Sequence, residues 1–249
     1  MDTSRLSIVD ATVDHSQFLA RAILAASRSQ LDRGPFDIAF QTNETELLDI
    51  LEWAVLSDLV SNCHFSKFLV AEADGEPIGA LAAFDPGEAD LLPLGAALAD
   101  AYSGLGYDEA ELPAMMARIE AMNSCRPPAK QGTWIIEWVA VEPPHRGIGI
   151  CGQLMEKTLV VGAGRGLKRA QISTYIGNDN ATTAYEKAGF RVETRRQSQE
   201  FQALLGVSGM VTMRGDLRAR SSLPEWASRA KFQIAFHASY PLTAVPIPW

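Results

Sequence analysis

The stretch that decides the fold is Val139-Ala-Val-Glu-Pro-Pro-His-Arg-Gly-Ile-Gly-Ile-Cys-Gly-Gln-Leu154, in which an apolar strand, a proline-marked turn, a glycine-rich loop and a helix follow one another. In this order several backbone N–H groups and a helix N-terminus point to one place, which favours the binding of an anion. Glycines let the main chain approach phosphate oxygens closely, and an arginine adds charge-assisted hydrogen bonds. The predicted phosphate-binding loop consists of Arg146, Gly147, Ile148, Gly149, Ile150, Cys151 and Gly152.

The spacing separates this loop from two other phosphate-binding motifs. The P-loop pattern G-x-x-x-x-G-K-S/T is not found here, and Gly147, Gly149 and Gly152 lack the acidic residue about 20 positions later that accompanies a dinucleotide-binding loop. The loop therefore predicts an anion site of another kind.

A second informative segment, Asn178-Asp-Asn-Ala-Thr-Thr-Ala-Tyr-Glu-Lys-Ala-Gly-Phe190, follows the next predicted strand. With both segments in this order, the chain resembles the GNAT superfamily of acyl-CoA-dependent N-acyltransferases. The family's pyrophosphate loop, R/Q-x-x-G-x-G/A, is matched at Arg146 and Gly149, and Cys151 departs from its third position. The family's later pattern is matched at Asn178, Ala181, Tyr185, Glu186, Lys187, Gly189 and Phe190. The resemblance covers residues 133–194.

The resemblance implies an α/β (α+β) fold with a mixed, mostly antiparallel central sheet and flanking helices. In this fold the fourth and fifth strands form a parallel pair that splays apart. The acyl-CoA would lie in the resulting V-shaped opening, between the strand ends at Val141 and Ile176. Its pantetheine arm would pair with the backbone of Val139, Ala140 and Val141. Acetyl-CoA is the implied cosubstrate, and no metal is expected.

The resemblance also implies roles for residues of the second segment. Tyr185 stands where the family has its thiolate-protonating tyrosine, and a phenol with a pKa near 10 is protonated at neutral pH. The alternative for Tyr185 is packing of its helix onto the sheet. Asn178 and Ala181 stand among the cofactor-binding positions, and the alternative for Asn178 is a helix cap, a role for which Asp179 and Asn180 compete.

Glu137 is the candidate for the base that deprotonates the acceptor amine. Strand alternation predicts that it lies on the same face as Val139 and Val141, and a carboxylate in so apolar a run needs water or a polar partner. It also occupies the position of a glutamate in the spermidine-type acetyltransferases of the family. The alternative is a structural carboxylate that pairs with an arginine from a neighbouring element.

The rest of the chain predicts strands and helices around these segments. Two strand-like runs joined through Asp74-Gly75 predict a hairpin, and residues 88–130 predict a helical insertion. Between Glu88 and Glu120 the insertion holds one cation, Arg118, and seven acids. These acids indicate either a solvated helix face or a rim that attracts a cationic substrate. They are Glu88, Asp90, Asp100, Asp108, Glu109, Glu111 and Glu120.

Composition excludes several classes of protein. The 249 residues are 47% hydrophobic and carry a formal charge of −8, a balance that repels polyanions and argues against nucleic acid as a partner. The chain has neither a signal-like start nor a membrane-length apolar run, so we expect a cytoplasmic protein without a membrane partner. Three dispersed cysteines suggest neither a disulfide framework nor a zinc site.

We therefore expect one acetyltransferase domain over residues 1–218, including the insertion, followed by a tail or arm over 219–249. The expected function is transfer of the acetyl group of acetyl-CoA to a primary amine of a small molecule, peptide or protein. The alternatives are a non-catalytic acyl-CoA-binding sensor and an interaction protein that uses the insertion or the tail. A second copy of the chain, in a homodimer, stays a candidate partner.

Overall fold

A seven-stranded mixed sheet organises the chain in the computed structural model. The structure describes residues 6–218, and the expected tail or arm at 219–249 lies outside this range. The strand order is β1-β2-β3-β4-β5-β7-β6, and every neighbouring pair is antiparallel except β4 and β5. The expected fold class is thereby confirmed. The strands are β1 (Leu6–Asp10), β2 (Phe68–Ala73), β3 (Glu76–Phe84), β4 (Trp134–Val141), β5 (Arg169–Tyr175), β6 (Arg191–Gln197) and β7 (Gly209–Asp216).

Helices cover both faces of this sheet. One face, called here the α1 face, packs against α1 to α5 and α8, and the other, the α6 face, packs against α6 and α7. Each face therefore has its own apolar core. The helices are α1 (Ser16–Arg28), α2 (Pro35–Phe40), α3 (Glu44–Leu56), α4 (Leu94–Gly104), α5 (Leu112–Met122), α6 (Ile150–Gly164), α7 (Asp179–Lys187) and α8 (Gln199–Leu205).

The predicted hairpin joins β2 to β3. Asp74 and Gly75 have φ angles of 53° and 89°, the left-handed conformation that a two-residue turn between twisted strands requires. The Asp-Gly signal is thus confirmed.

Strand β4 contains a bulge at Trp138, whose φ is 53°. Glu137 pairs with Ala82 of β3 and Ala140 pairs with Ala80, so β4 has one extra residue between these two pairs. Residues directly opposite each other share a face, and both alanines belong to the core of the α1 face. The prediction that Glu137 shares a face with Val139 and Val141 is therefore wrong. The bulge reverses the alternation after Glu137, so Glu137 lies on the α1 face while Val139 and Val141 lie on the α6 face.

Beyond the bulge, β4 and β5 separate. Their parallel pairing extends only from Trp134 opposite Ala170 to Ile136 opposite Ile172, while β5 stays paired with β7 as far as Tyr175. On the far side of the bulge Val139 and Val141 pack towards the α6 face. The β5-facing backbone edge of this part of β4 is left without a strand partner, which gives the V-shaped opening.

The insertion at 88–130 forms two helices, as expected. Helix α4 packs on α3, and α5 packs on α2 and α8, so the insertion extends the α1 face. Its acids are partly engaged there: Glu88 pairs with Lys67 and Arg165, and Asp100 accepts hydrogen bonds from Trp53 and Ser57.

Candidate active site

The glycine-rich loop leads from β4 into α6. Gly147 and Gly149 have φ angles of 81° and 94°, a left-handed conformation that side-chain-bearing residues rarely adopt, and Gly149 is the N-cap of α6. The N–H of Gln153 donates to the carbonyl of Gly149 as the first bond of the helix, so the preceding N–H groups have no partner within the helix. These donors are available to an anion.

The space in front of the loop is open. A Cβ atom added to Gly147, Gly149 or Gly152 would meet no described atom within 4 Å. Arg146 is exposed and its Nε donates to the carbonyl oxygen of Val141 at 2.8 Å, which ties the loop to the end of β4. The two terminal nitrogens of Arg146 remain for an anion. The predicted phosphate loop thus has the geometry that its sequence indicated.

Tyr185 is buried in α7, on the α6 face. Burial raises the pKa of its phenol, and the Cys151 thiol acts in the same direction, so Tyr185 is protonated over the whole physiological range. Burial also raises the pKa of Cys151, to about 11, which leaves that thiol neutral. Tyr185 therefore has a proton to donate on the side of the sheet where the loop lies.

Asn178 is the N-cap of α7. Its Oδ1 accepts from the N–H of Ala181 at 3.0 Å, and its Nδ2 donates to Ser29 Oγ at 2.6 Å. Asn178 itself, and not Asp179 or Asn180, therefore caps the helix. Contacts of Asn178 and Ala181 with a cofactor stay predictions.

Glu137 has two partners on the α1 face. Its Oε2 accepts from Asn62 Nδ2 at 2.5 Å, and its two oxygens lie 3.1 and 3.3 Å from Nη2 of Arg126. The carboxylate thus makes the arginine pair that was the structural alternative for it. Glu137 and Tyr185 lie on opposite faces of the sheet.

Three residues around Glu137 were not predicted from the sequence. Asn62 follows α3, Arg126 ends the insertion, and Trp138 is the bulged residue, so no local pattern joins them. Glu137 raises the pKa of Arg126, and burial followed by the charge of Glu137 raises the pKa of Cys63. Both groups keep their protons at neutral pH.

Within residues 6–218, no group of three or more His, Cys, Asp or Glu side chains is arranged to hold a metal ion. In the same range no helix combines the length and apolar character needed to cross a membrane.

Comparison with known proteins identifies the family and supports the fold. The model of the acetyltransferase (GNAT) family matches residues 30–190, more than half of the chain. A crystal structure of an acetyltransferase is similar with a TM-score of 0.63 and 18% identity, covering 85% of this chain and 99% of that one. An N-acetyltransferase from Staphylococcus aureus Mu50 is similar with a TM-score of 0.59 and 18% identity, over 84% of this chain and 98% of its own.

At these identities the two structures support the fold alone. A search of curated proteins by sequence found no significant match. The family match, which spans the glycine-rich loop and Tyr185, shows that the chain belongs to the GNAT family of acetyltransferases, with acetyl-CoA as its cosubstrate.

Proposed function

We propose that the protein is an N-acetyltransferase that passes the acetyl group of acetyl-CoA to a primary amine of a small molecule, peptide or protein by direct attack. The observation that carries this proposal is the anion-binding loop at the mouth of the β4–β5 opening, with a buried, protonated Tyr185 on the same face. The proposal includes a cytoplasmic location. A homodimer stays a prediction.

In this proposal the loop from Arg146 to Gly152 binds the pyrophosphate of acetyl-CoA. The pantetheine arm pairs with the backbone of Val139, Ala140 and Val141, where β4 has no strand partner on the side of β5. The support is that an unpaired strand edge offers N–H and C=O groups to an extended ligand. The thioester then lies between the faces that hold Glu137 and Tyr185.

The acetyl transfer begins when the neutral amine attacks the thioester carbonyl carbon. The C–S bond then breaks, and the departing thiolate takes the phenolic proton of Tyr185. The nitrogen gives up one proton as the amide forms, and the Tyr185 phenolate regains its proton from water. A thiolate is ordinarily a weaker base than a phenolate. Burial raises the pKa of a thiol here, as at Cys151, but it raises the pKa of the Tyr185 phenol as well. The role of Tyr185 is therefore supported by its position on the face of the loop and not by burial.

Glu137 is proposed to receive the proton of the acceptor amine, directly or through water. A carboxylate has about four acceptor positions, of which Asn62 and Arg126 occupy three. The remaining position is on Oε1. Glu137 is held in one orientation by its partners, and it still has room for one more donor.

The experiment is a thermal shift with acetyl-CoA combined with an acetylation assay over a panel of amines, with products detected by mass. A shift together with an acetylated product supports the proposal. A shift without any product favours the non-catalytic sensor. Neither a shift nor a product favours the interaction protein.

A further inference from the structure

The end of the insertion places a cation next to Glu137. Arg126 uses Nη2 for Glu137, and no described residue accepts from its Nε or Nη1, while 44% of its side chain is exposed. A second guanidinium lies near, since Arg196 Nη1 is 3.3 Å from the carbonyl oxygen of Arg126. Arg126 thus balances the charge of Glu137, and its Nε and Nη1 remain for a second anion.

Two buried polar atoms beside Glu137 lack partners among the described residues. Asn62 is 6% exposed, and its Nδ2 must face Glu137 because a carboxylate only accepts hydrogen bonds. Its Oδ1 is therefore fixed on the other side of the amide, and it has no partner there. The indole N–H of Trp138 is also buried and unpartnered. Since such groups are costly to leave unsatisfied, one free acceptor and one free donor indicate a polar ligand.

We propose that Arg126 binds the carboxylate of the acceptor, and that the acceptor is an α-amino acid whose amine lies against Glu137. The inference rests on the proposed function and names its substrate class. In an α-amino acid one carbon atom separates the amine from the carboxylate carbon, a spacing suited to an arginine and a glutamate in direct contact.

This assignment differs from a cationic acceptor drawn in by the acidic insertion. Glu88 is engaged with Lys67 and Arg165, and the contact that the insertion makes with Glu137 is through a cation. A simple alkylammonium would meet a carboxylate, Glu137, whose negative charge is already balanced by Arg126. A zwitterion meets each of the two charges with its opposite.

The test compares L-amino acids with their own amides as acceptors. The amide has the same side chain and a less basic amine, so a preference for the acid cannot come from a larger fraction of free amine. We expect kcat/KM to favour the acid by ~10- to 100-fold, the size of a charge-assisted hydrogen bond. Arg126→Gln should abolish that preference, mainly through KM. Because Arg126 also orients Glu137, the rate with both acceptors should fall, and the readout is therefore the acid-to-amide ratio, which should drop to about one.

Arg118→Gln is the matched control, because it removes the same charge from the same insertion but contacts the Ala39 carbonyl instead of Glu137. The acid-to-amide ratio should be unchanged in this variant. Arg126→Lys should restore part of the preference, since it keeps the charge and loses the planar fork. An acetyl-CoA thermal shift in each variant shows that it folds.

Binding of the amino acids to the protein saturated with CoA, measured by calorimetry, separates this inference from the proposed function. Binding that depends on Arg126 supports the inference even if no acceptor is acetylated. Equal loss of acid and amide activity in Arg126→Gln would overturn it, because the arginine would then only position Glu137. A preference for amides or decarboxylated amines, or no Arg126-dependent binding, would overturn it as well.

Discussion

The two sides of β4 are built in different ways. On the side proposed for the cofactor, the loop from Arg146 to Gly152 and the start of α6 are contiguous in the chain and offer mainly backbone N–H groups. On the side proposed for the acceptor, the cluster of Asn62, Arg126 and Glu137 comes from three separate segments and is joined through side chains. A site made of backbone is encoded locally, whereas a cluster of side chains depends on how distant segments meet.

The largest expected effect tests whether Tyr185, on the side proposed for the cofactor, protonates the leaving thiolate. Tyr185→Phe should keep the fold and acetyl-CoA binding but lower kcat by ~10²- to 10⁴-fold, as the loss of a general acid does. Turnover and acetyl-CoA affinity are measured on the same preparation. Wild-type turnover in this variant would return Tyr185 to a packing role.

The next effect concerns the acceptor side. Glu137→Gln should lower kcat/KM by about 10²-fold at neutral pH, and by less at alkaline pH, where the amine is already deprotonated. The measurement is a pH profile of both proteins with the best acceptor found. A defect of the same size at every pH would mean that Glu137 has a structural role only.

Arg146→Ala tests the loop itself. It should weaken acetyl-CoA binding by ~1.5 to 3 kcal/mol, the scale of a hydrogen bond to a charged group. Calorimetry with acetyl-CoA gives the change in affinity directly. Since Arg146 also ties the loop to Val141, the thermal stability of the variant without ligand is needed as a reference. Unchanged affinity for acetyl-CoA would contradict the proposal that Arg146 binds the pyrophosphate.

Gly152 and Gly164 form a matched pair within α6. Neither has a positive φ, and an added Cβ would meet nothing within 4 Å at either position. Alanine at each should stabilise the free protein by up to ~0.5 to 1 kcal/mol through helix propensity. Only Gly152→Ala, next to the proposed phosphate site, should weaken acetyl-CoA binding. Equal affinity in both variants would show that the pyrophosphate does not approach Gly152.

The last prediction concerns stability alone and tests the contact between α1 and β5. Tyr175 is buried, its hydroxyl donates to the Ser27 carbonyl at 2.8 Å, and burial raises its pKa. Its contribution to stability is therefore complete below the unfolded-state pKa of about 10 and is lost as the pH rises above that value. Tyr175→Phe should cost about 1 kcal/mol at neutral pH and reduce the alkaline loss of stability. Denaturant titrations at neutral and alkaline pH provide the check.

Much of the fold follows from local sequence, and the parts that do not have identifiable reasons. The Asp74-Gly75 hairpin, the helices of the insertion and the strand-loop-helix around Arg146 all carry local signals. Helices α2 and α8 were not predicted, because each has only six or seven residues, too few for a clear apolar period. They form because they pack into the α1 face.

The sequence by itself determined the cofactor side: glycines with left-handed backbone, an arginine and a helix start lie within seven residues, so neighbouring positions suffice to specify the site. Only the tertiary structure decided the acceptor side. One bulged residue at Trp138 places Glu137 and Val139 on opposite faces, since side chains alternate along a strand and an extra residue reverses the alternation. The partners of Glu137 then came from the end of the insertion and the segment after α3, which meet there only in the folded chain.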